Sequence, residues 1–311
     1  MKRYPPFLGV AIFVLLGATC LVPTAQAQEM PRDYQEVLKY LGRPGDYKAN
    51  VLKINLPRND FQVSVADVPT PTPFGFGGWV AMTKGDAGKD VLMGDLVLRQ
   101  GEVWPVMSAL LDNGLEITAL HNHFFWEDPR IFFMHIHGYG WAVDLAHKLK
   151  PALDRIARLA SAPQSPPAGT PAAQGQLDTE KIAKILRHEG EKLGSVYKIT
   201  IGRDDIGLRE MGATINARMG LNSWAAFVGS DTQAAIAGDV AMLESELTRV
   251  LKALLKNNLT VVAIHNHMTG VQPNIIFLHY WGKGPAERLA AGFRAALDVL
   301  GKGAGTDKAS H

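Results

Sequence analysis

Residues 115–138 read LEITALHNHFFWEDPRIFFMHIHG, and residues 259–282 read LTVVAIHNHMTGVQPNIIFLHYWG. Each stretch holds two runs of β-branched, aromatic and apolar residues on either side of a Pro-containing loop, the pattern of paired strands. Aligned at an offset of 144, His121-Asn122-His123 meets His265-Asn266-His267, and Pro129, Phe133, His135 and Gly138 meet Pro273, Phe277, His279 and Gly282.

The correspondence extends towards the N-terminus. Gly94-Asp95 meets Gly238-Asp239 at the same offset. One residue further apart, at 145, Trp79 meets Trp224, Arg58-Asn59-Asp60 meets Arg203-Asp204-Asp205, and Val51-Leu52-Lys53-Ile54 meets Val196-Tyr197-Lys198-Ile199. Matches in one order with a single indel identify an internal duplication, which governs the reading of everything else.

Each copy predicts the same order of elements. A short helix carries Val37 and Leu41, or Ile182, Ile185 and Leu186, at helical spacing. Strands are expected at 51–56, 61–66, 78–83 and 91–98. A second helix aligns Val103, Val106, Met107, Leu110 and Leu111, matched by Leu247, Val250, Leu251, Leu254 and Leu255. After the two His-bearing strands, a third helix presents Leu145, Leu149 and Leu153, or Leu289, Phe293 and Leu297. Strands and helices without strict βαβ alternation predict an α+β class: two tandem homologous units, each an antiparallel sheet with helices, packing as a pseudo-dimer. The expected boundaries are a leader at 1–27, a first repeat at 28–160 and a Pro/Ala/Gly-rich linker at 161–176. A second repeat at 177–303 and a loose tail at 304–311 follow.

The leader reading rests on Lys2 and Arg3, the apolar run Phe7 to Val22 and the small-x-small site Ala25-Gln26-Ala27. Export to the periplasm or the medium is therefore expected, with a minor alternative of lipid anchoring at Cys20, the only cysteine. Once the leader is cut off, the chain has neither thiol nor transmembrane segment, so disulfides and thiolate metal sites are excluded. The whole chain has 32 Lys and Arg against 30 Asp and Glu, and removal of Lys2 and Arg3 balances the charges. With no basic stripe, nucleic acid is not an expected partner.

Side chains alternate across a strand, so His121 and His123 share one face, as do His135 and His137 on the next strand. An antiparallel register pairing odd with odd positions brings these imidazoles onto one surface. The second copy supplies His265, His267 and His279, with Trp281 in the slot of His137. Imidazoles from two strands suit a divalent transition metal, zinc first, and a site with an open position could polarise a carbonyl or activate water. The expectation is one such centre within each copy. Glu127 and Asp128 are the nearby carboxylates in sequence, but Val271 and Gln272 replace them in copy two.

Weaker candidates for ligand binding are Arg58 and Arg203, the glycine pairs Gly138/Gly140 and Gly282/Gly284, and Trp79 with Trp224. A bare G-x-G is more often a turn than an anion cradle, and the arginines have Asp60 and Asp205 as ready ion-pair partners. Gly94-Asp95 and Gly238-Asp239 read as turns, their aspartates as outlying ligand candidates. The literal His-Asn-His triplet is unrelated to HNH nucleases, whose name describes dispersed residues of a ββα metal fold. No nucleophile elbow, phosphate loop or H-E-x-x-H is present.

The doubled series Val-x-Lys-Ile, Arg-x-Asp, Gly-Asp, His-Asn-His and Pro-x-Ile-x-Phe-x-His resembles the LppY/LpqO-like family of exported bacterial proteins, grouped as a domain of unknown function. The resemblance implies an envelope or secreted location and carries no activity or ligand set. The functional expectation is an exported metal-binding protein, in its stronger form a metal-dependent hydrolase. The alternative is a non-catalytic envelope protein that binds a small molecule or glycan between the repeats.

Overall fold

The computed structural model describes residues 28–156 and 176–301. The predicted leader with Cys20, the linker apart from Gln176, and the predicted tail lie outside the described residues.

The first repeat runs α1 (Arg32–Leu41), β1 (Asp46–Lys48), β2 (Val51–Pro57), β3 (Val63–Val65), β4 (Val68–Thr70), β5 (Gly77–Lys84), β6 (Asp90–Arg99), α2 (Gln100–Asp112), β7 (Glu116–His121), β8 (Glu127–Asp128), β9 (Ile131–Gly140) and α3 (Ala142–Leu153). The second runs α4 (Thr179–Leu186), β10 (Glu191–Leu193), β11 (Val196–Gly202), β12 (Arg209–Glu210), β13 (Ala213–Thr214), β14 (Asn222–Gly229), β15 (Ala234–Leu243), α5 (Leu247–Lys256), β16 (Thr260–His265), β17 (Ile275–Gly284) and α6 (Ala286–Leu297). Each repeat builds a six-stranded antiparallel sheet, ordered β1-β2-β5-β6-β9-β7 in one and β10-β11-β14-β15-β17-β16 in the other. The α+β expectation holds in both.

Alternation along the strands divides the core. Leu52, Ile54, Met82, Leu92, Leu96 and Ile136 turn to one face and pack under α1, α2 and α3. Their odd-numbered neighbours Val51, Ala81, Val91 and Met93 turn the other way and meet Met219, Leu221, Ala241 and Phe277 of the second repeat. Reciprocally, Ala226, Ala235 and Ala237 meet Phe74, Phe76 and Phe133 of the first. With both faces covered, β6 carries almost nothing but buried residues. The inner faces are thus shared, and the chain between the second and third sheet strands of each repeat reaches over the other's sheet.

Those crossing segments are fastened at their base. Arg58 donates from Nε to Asp60 (2.8 Å) and from Nη1 to the Val97 carbonyl (2.6 Å) and Glu102 (2.8 Å). Arg203 does the same with Asp205 (2.8 Å), the Ala241 carbonyl (2.8 Å) and Glu246 (3.1 Å). Glu102 and Glu246 also accept the Arg99 and Leu243 amides at the start of the following helix. The arginines suggested as ligand clamps are therefore buried structural ties.

Other expectations need correction. Gly94-Asp95 and Gly238-Asp239 are no turns but the middle of β6 and β15. A Cβ at Gly94 would come within 2.8 Å of Val80 Cγ1, and one at Gly238 within 2.3 Å of the Trp224 carbonyl, so close packing selects glycine. Gly138, Gly140, Gly282 and Gly284 are strand residues of β9 and β17 rather than an anion cradle, and a Cβ at Gly138 or Gly282 would press a leucine methyl at 2.7 Å. The strand expected at 61–66 shortens to β3, which joins β4 and β8 in a small separate sheet. Leu111 and Leu255, assigned to the apolar stripes, are exposed.

Candidate metal centre

In both repeats the His-bearing strands pair antiparallel as the alternation requires. Ala119 faces His135 and His121 faces Phe133, as Ala263 faces His279 and His265 faces Phe277. A bulge interrupts each pairing, between Ile117 and Ala119 and between Val261 and Ala263. Thr118, the extra residue in the first, donates to the His267 carbonyl across the repeat boundary at 2.7 Å. The central Asn of each triplet ties its strand end to the partner strand: Asn122 Nδ2 donates to the Ile131 carbonyl (2.6 Å) and Asn266 Nδ2 to that of Ile275 (2.9 Å).

Because the two inner faces meet, the imidazoles form one cluster spanning both repeats instead of two separate centres. His121 stacks on His265 with ring centres 3.8 Å apart. His123 lies between Phe133 (3.3 Å) and His279 (3.7 Å), and its counterpart His267 lies between Phe277 (3.4 Å) and His135 (4.0 Å). These matched pairings have the pattern of a local twofold relation. Three groups bring their ligand atoms within 4.8 Å of one another: His121, His123 and His279; His121, His135 and His265; and Asp239, His265 and His267. The first two groups draw on both repeats.

Protonation follows from burial. His123, His135, His267 and His279 are pushed well below the ordinary imidazole range, and His121 down to about 3, first by loss of water. His265 moves the same way. Neutral rings each keep one lone pair, the form a metal takes. His123 Nδ1 donates to the Gly75 carbonyl and His279 Nδ1 to that of Gly238, both at 3.2 Å, which fixes the tautomer with Nε2 as acceptor. His279 Nε2 then faces His121 Nε2 at 3.2 Å. The Nε2 atoms of His123 and His135 and both ring nitrogens of His265 and His267 are buried without a hydrogen-bond partner among the described residues. Each neutral ring among them offers one acceptor nitrogen, and a buried set of such acceptors fits a cation.

His137 faces other partners. It lies between Glu116 and Glu210, at 3.1 Å from each, and these carboxylates raise its pKa against the opposing effect of burial. Glu127 accepts from Asn122 (3.3 Å), and neither it nor Asp128 belongs to the clustered groups. The aspartates read as turn residues do adjoin the cluster: Asp95 pairs in register with His135, and Asp239 with His279. Burial raises Asp95 to about 7 and Asp239 to about 8. Asp239 Oδ2 lies 3.6 Å from His267 Nε2. A charge within the apolar runs of β6 and β15 was the sequence signal for them.

A cavity of about 330 Å³ between the repeats opens on the cluster, where His123, His267, His279, Asp95 and Asp239 form one wall. Trp79 and Trp224 line it as well, from matched positions on β5 and β14.

A duplicated α+β protein with a histidine centre between its repeats is the class this geometry defines. The chain belongs to a family described as a domain of unknown function, DUF1259, which matches twice, at residues 35–155 and 180–299. No curated protein matches it. Among solved structures, EtuB from Clostridium kluyveri is aligned at 10% identity over 83% of this chain and 91% of that one, with a TM-score of 0.21. The trimeric bacterial microcompartment shell protein PduB aligns at 13% identity over 82% and 89%, with a TM-score of 0.20. Among the described residues no helix is long and apolar enough to cross a membrane.

Proposed function

We propose that this protein is an exported metal-binding protein whose two repeats act as a pseudo-dimer around a shared ion, zinc first among the candidates. His121, His123 and His279 form the first ligand set, with His135, His265, His267 and Asp239 as the remaining donors of the same cluster. The observation that carries the reading is the pattern of buried, unpartnered ring nitrogens facing inward while the Nδ1 atoms of His123 and His279 are held by backbone carbonyls. An ion there supplies Lewis acidity towards a carbonyl or a water molecule, and the adjoining cavity gives a substrate access, which supports the hydrolase form of the proposal. Export rests on the leader residues and on the LppY/LpqO resemblance.

The test is metal content by mass spectrometry on untagged protein. One equivalent or more per chain is expected, dropping by at least half in a His123→Ala/His279→Ala variant that still melts cooperatively. Substoichiometric metal that the substitution leaves unchanged removes the proposal.

The cavity with its paired tryptophans favours a second reading, a binding module without catalysis. That version expects a ligand to stabilise the protein equally before and after chelation.

A further inference from the structure

The cavity beside the cluster is lined by three cationic side chains whose charges the protein leaves incompletely answered. Lys53 Nζ lies 4.5 Å from the centre of the Trp79 ring, and Lys198 Nζ lies 4.4 Å from that of Trp224. An ammonium group has three donors, and a ring face offers only a weak electrostatic partner. Lys53 makes one long hydrogen bond, 3.4 Å to the Arg218 carbonyl. Among the described residues neither lysine has a carboxylate within salt-bridge reach, although Glu191, Asp95 and Asp239 share the lining. Arg218 reaches Asp46 through Nη2 at 2.8 Å, while its buried Nε has no partner. Burial, together with the charges of Arg218 and Lys198, pushes Lys53 down to about 8 against the smaller opposing pull of Asp46 and Asp95.

We propose that this cavity binds a small molecule through an oxyanion group, received between Lys53 and Lys198, with the rest of the molecule lying along Trp79 and Trp224 towards the histidines. The matched origin of the two lysines and the two tryptophans gives the anion equivalent cationic partners from both repeats. A volume of about 330 Å³ is at the small end of sites for small molecules. The inference deepens the metal reading, on which it rests only for the purpose of the ligand's approach; the anion contact itself is independent of the ion.

The experiment uses the purified full chain in chelated and in zinc-loaded form, titrated calorimetrically with inorganic phosphate and, separately, with benzoate. Binding of one probe per chain is expected. It should weaken by about tenfold or more in Lys53→Met and in Lys198→Met, as befits loss of one charged partner of a buried anion. Metal content should not change in either variant. Phosphate binding alone assigns a phosphoryl ligand, and benzoate binding alone a carboxylate. If neither probe binds the wild type at millimolar concentration, or if binding survives both substitutions, the inference is overturned. Failure of the metal reading looks different: the probes bind the chelated protein while no zinc is retained.

Discussion

Arg58 shows what a single side chain does for this fold. Its guanidinium is buried with Glu102 and reaches Asp60 and the Val97 carbonyl. Substitution by methionine takes the buried guanidinium away from Glu102, which keeps the Arg99 amide, and breaking one side of a buried pair costs about 3–5 kcal/mol. Urea unfolding of Arg58→Met should register a loss of that size, and Arg58→Met/Glu102→Leu should lose less than the single variant. Lys53 works in the opposite sense. Its folded pKa, about 8, lies below the unfolded lysine value of about 10.4, so its charge opposes folding fully below pH 8. That penalty fades as pH rises towards the unfolded pKa. Lys53→Met is therefore expected to melt higher than wild type at pH 7, by about 2–4 °C for each kcal/mol relieved. The advantage should shrink between pH 8 and 10; a gap that widens with pH contradicts the assignment.

At the scale of elements, β15 depends on a glycine that no turn requires. A Cβ at Gly238 would lie 2.3 Å from both the Trp224 carbonyl and Tyr280 Oη, one of them rigid backbone. Gly238→Ala is expected to destabilise by about 1–3 kcal/mol through overpacking, whereas Gly77→Ala, with open space around it, should be near neutral in thermal melts. Equal effects at the two positions would remove close packing as the explanation. This glycine also marks the limit of what could be read in advance. The paired strands around Pro129 and Pro273 and the flanking helices follow from local alternation and spacing, which a sequence displays directly. The odd-with-odd register at the histidines, in contrast, is reached only beyond the bulges at Thr118 and Val262. Gly238-Asp239 looks like a turn by residue type alone, because the close approach that demands glycine comes from strands distant in sequence. Asp239 was a ligand candidate from its sequence, but its closeness to His267 depends on the same distant packing.

For the molecule as a whole, the decisive feature is the meeting of two inner faces, which no periodicity of 2 or 3.6 encodes. Histidines could be assigned to one face of each sheet, but the pairing of His123 with His279 and of His135 with His267 needed the second sheet's position. The same packing predicts how the repeats depend on one another. Val51, Ala81 and Met93 on one side and Ala226, Ala237 and Phe277 on the other would be exposed if the repeats parted. Exposing two such surfaces at once is opposed by roughly 25 cal/mol for every Å² of apolar area. Cutting an engineered protease site within residues 161–176 should accordingly leave two fragments that elute together. An ion held by ligands from both repeats binds only the joined form and should strengthen that association. The linkage amounts to about 4 kcal/mol when free metal exceeds its dissociation constant a thousandfold. Chelation should then lower the melting midpoint of the cut protein and weaken the co-elution of its fragments, most visibly on dilution. Fragments that part on the column regardless of metal would show that the inner faces do not hold the repeats together.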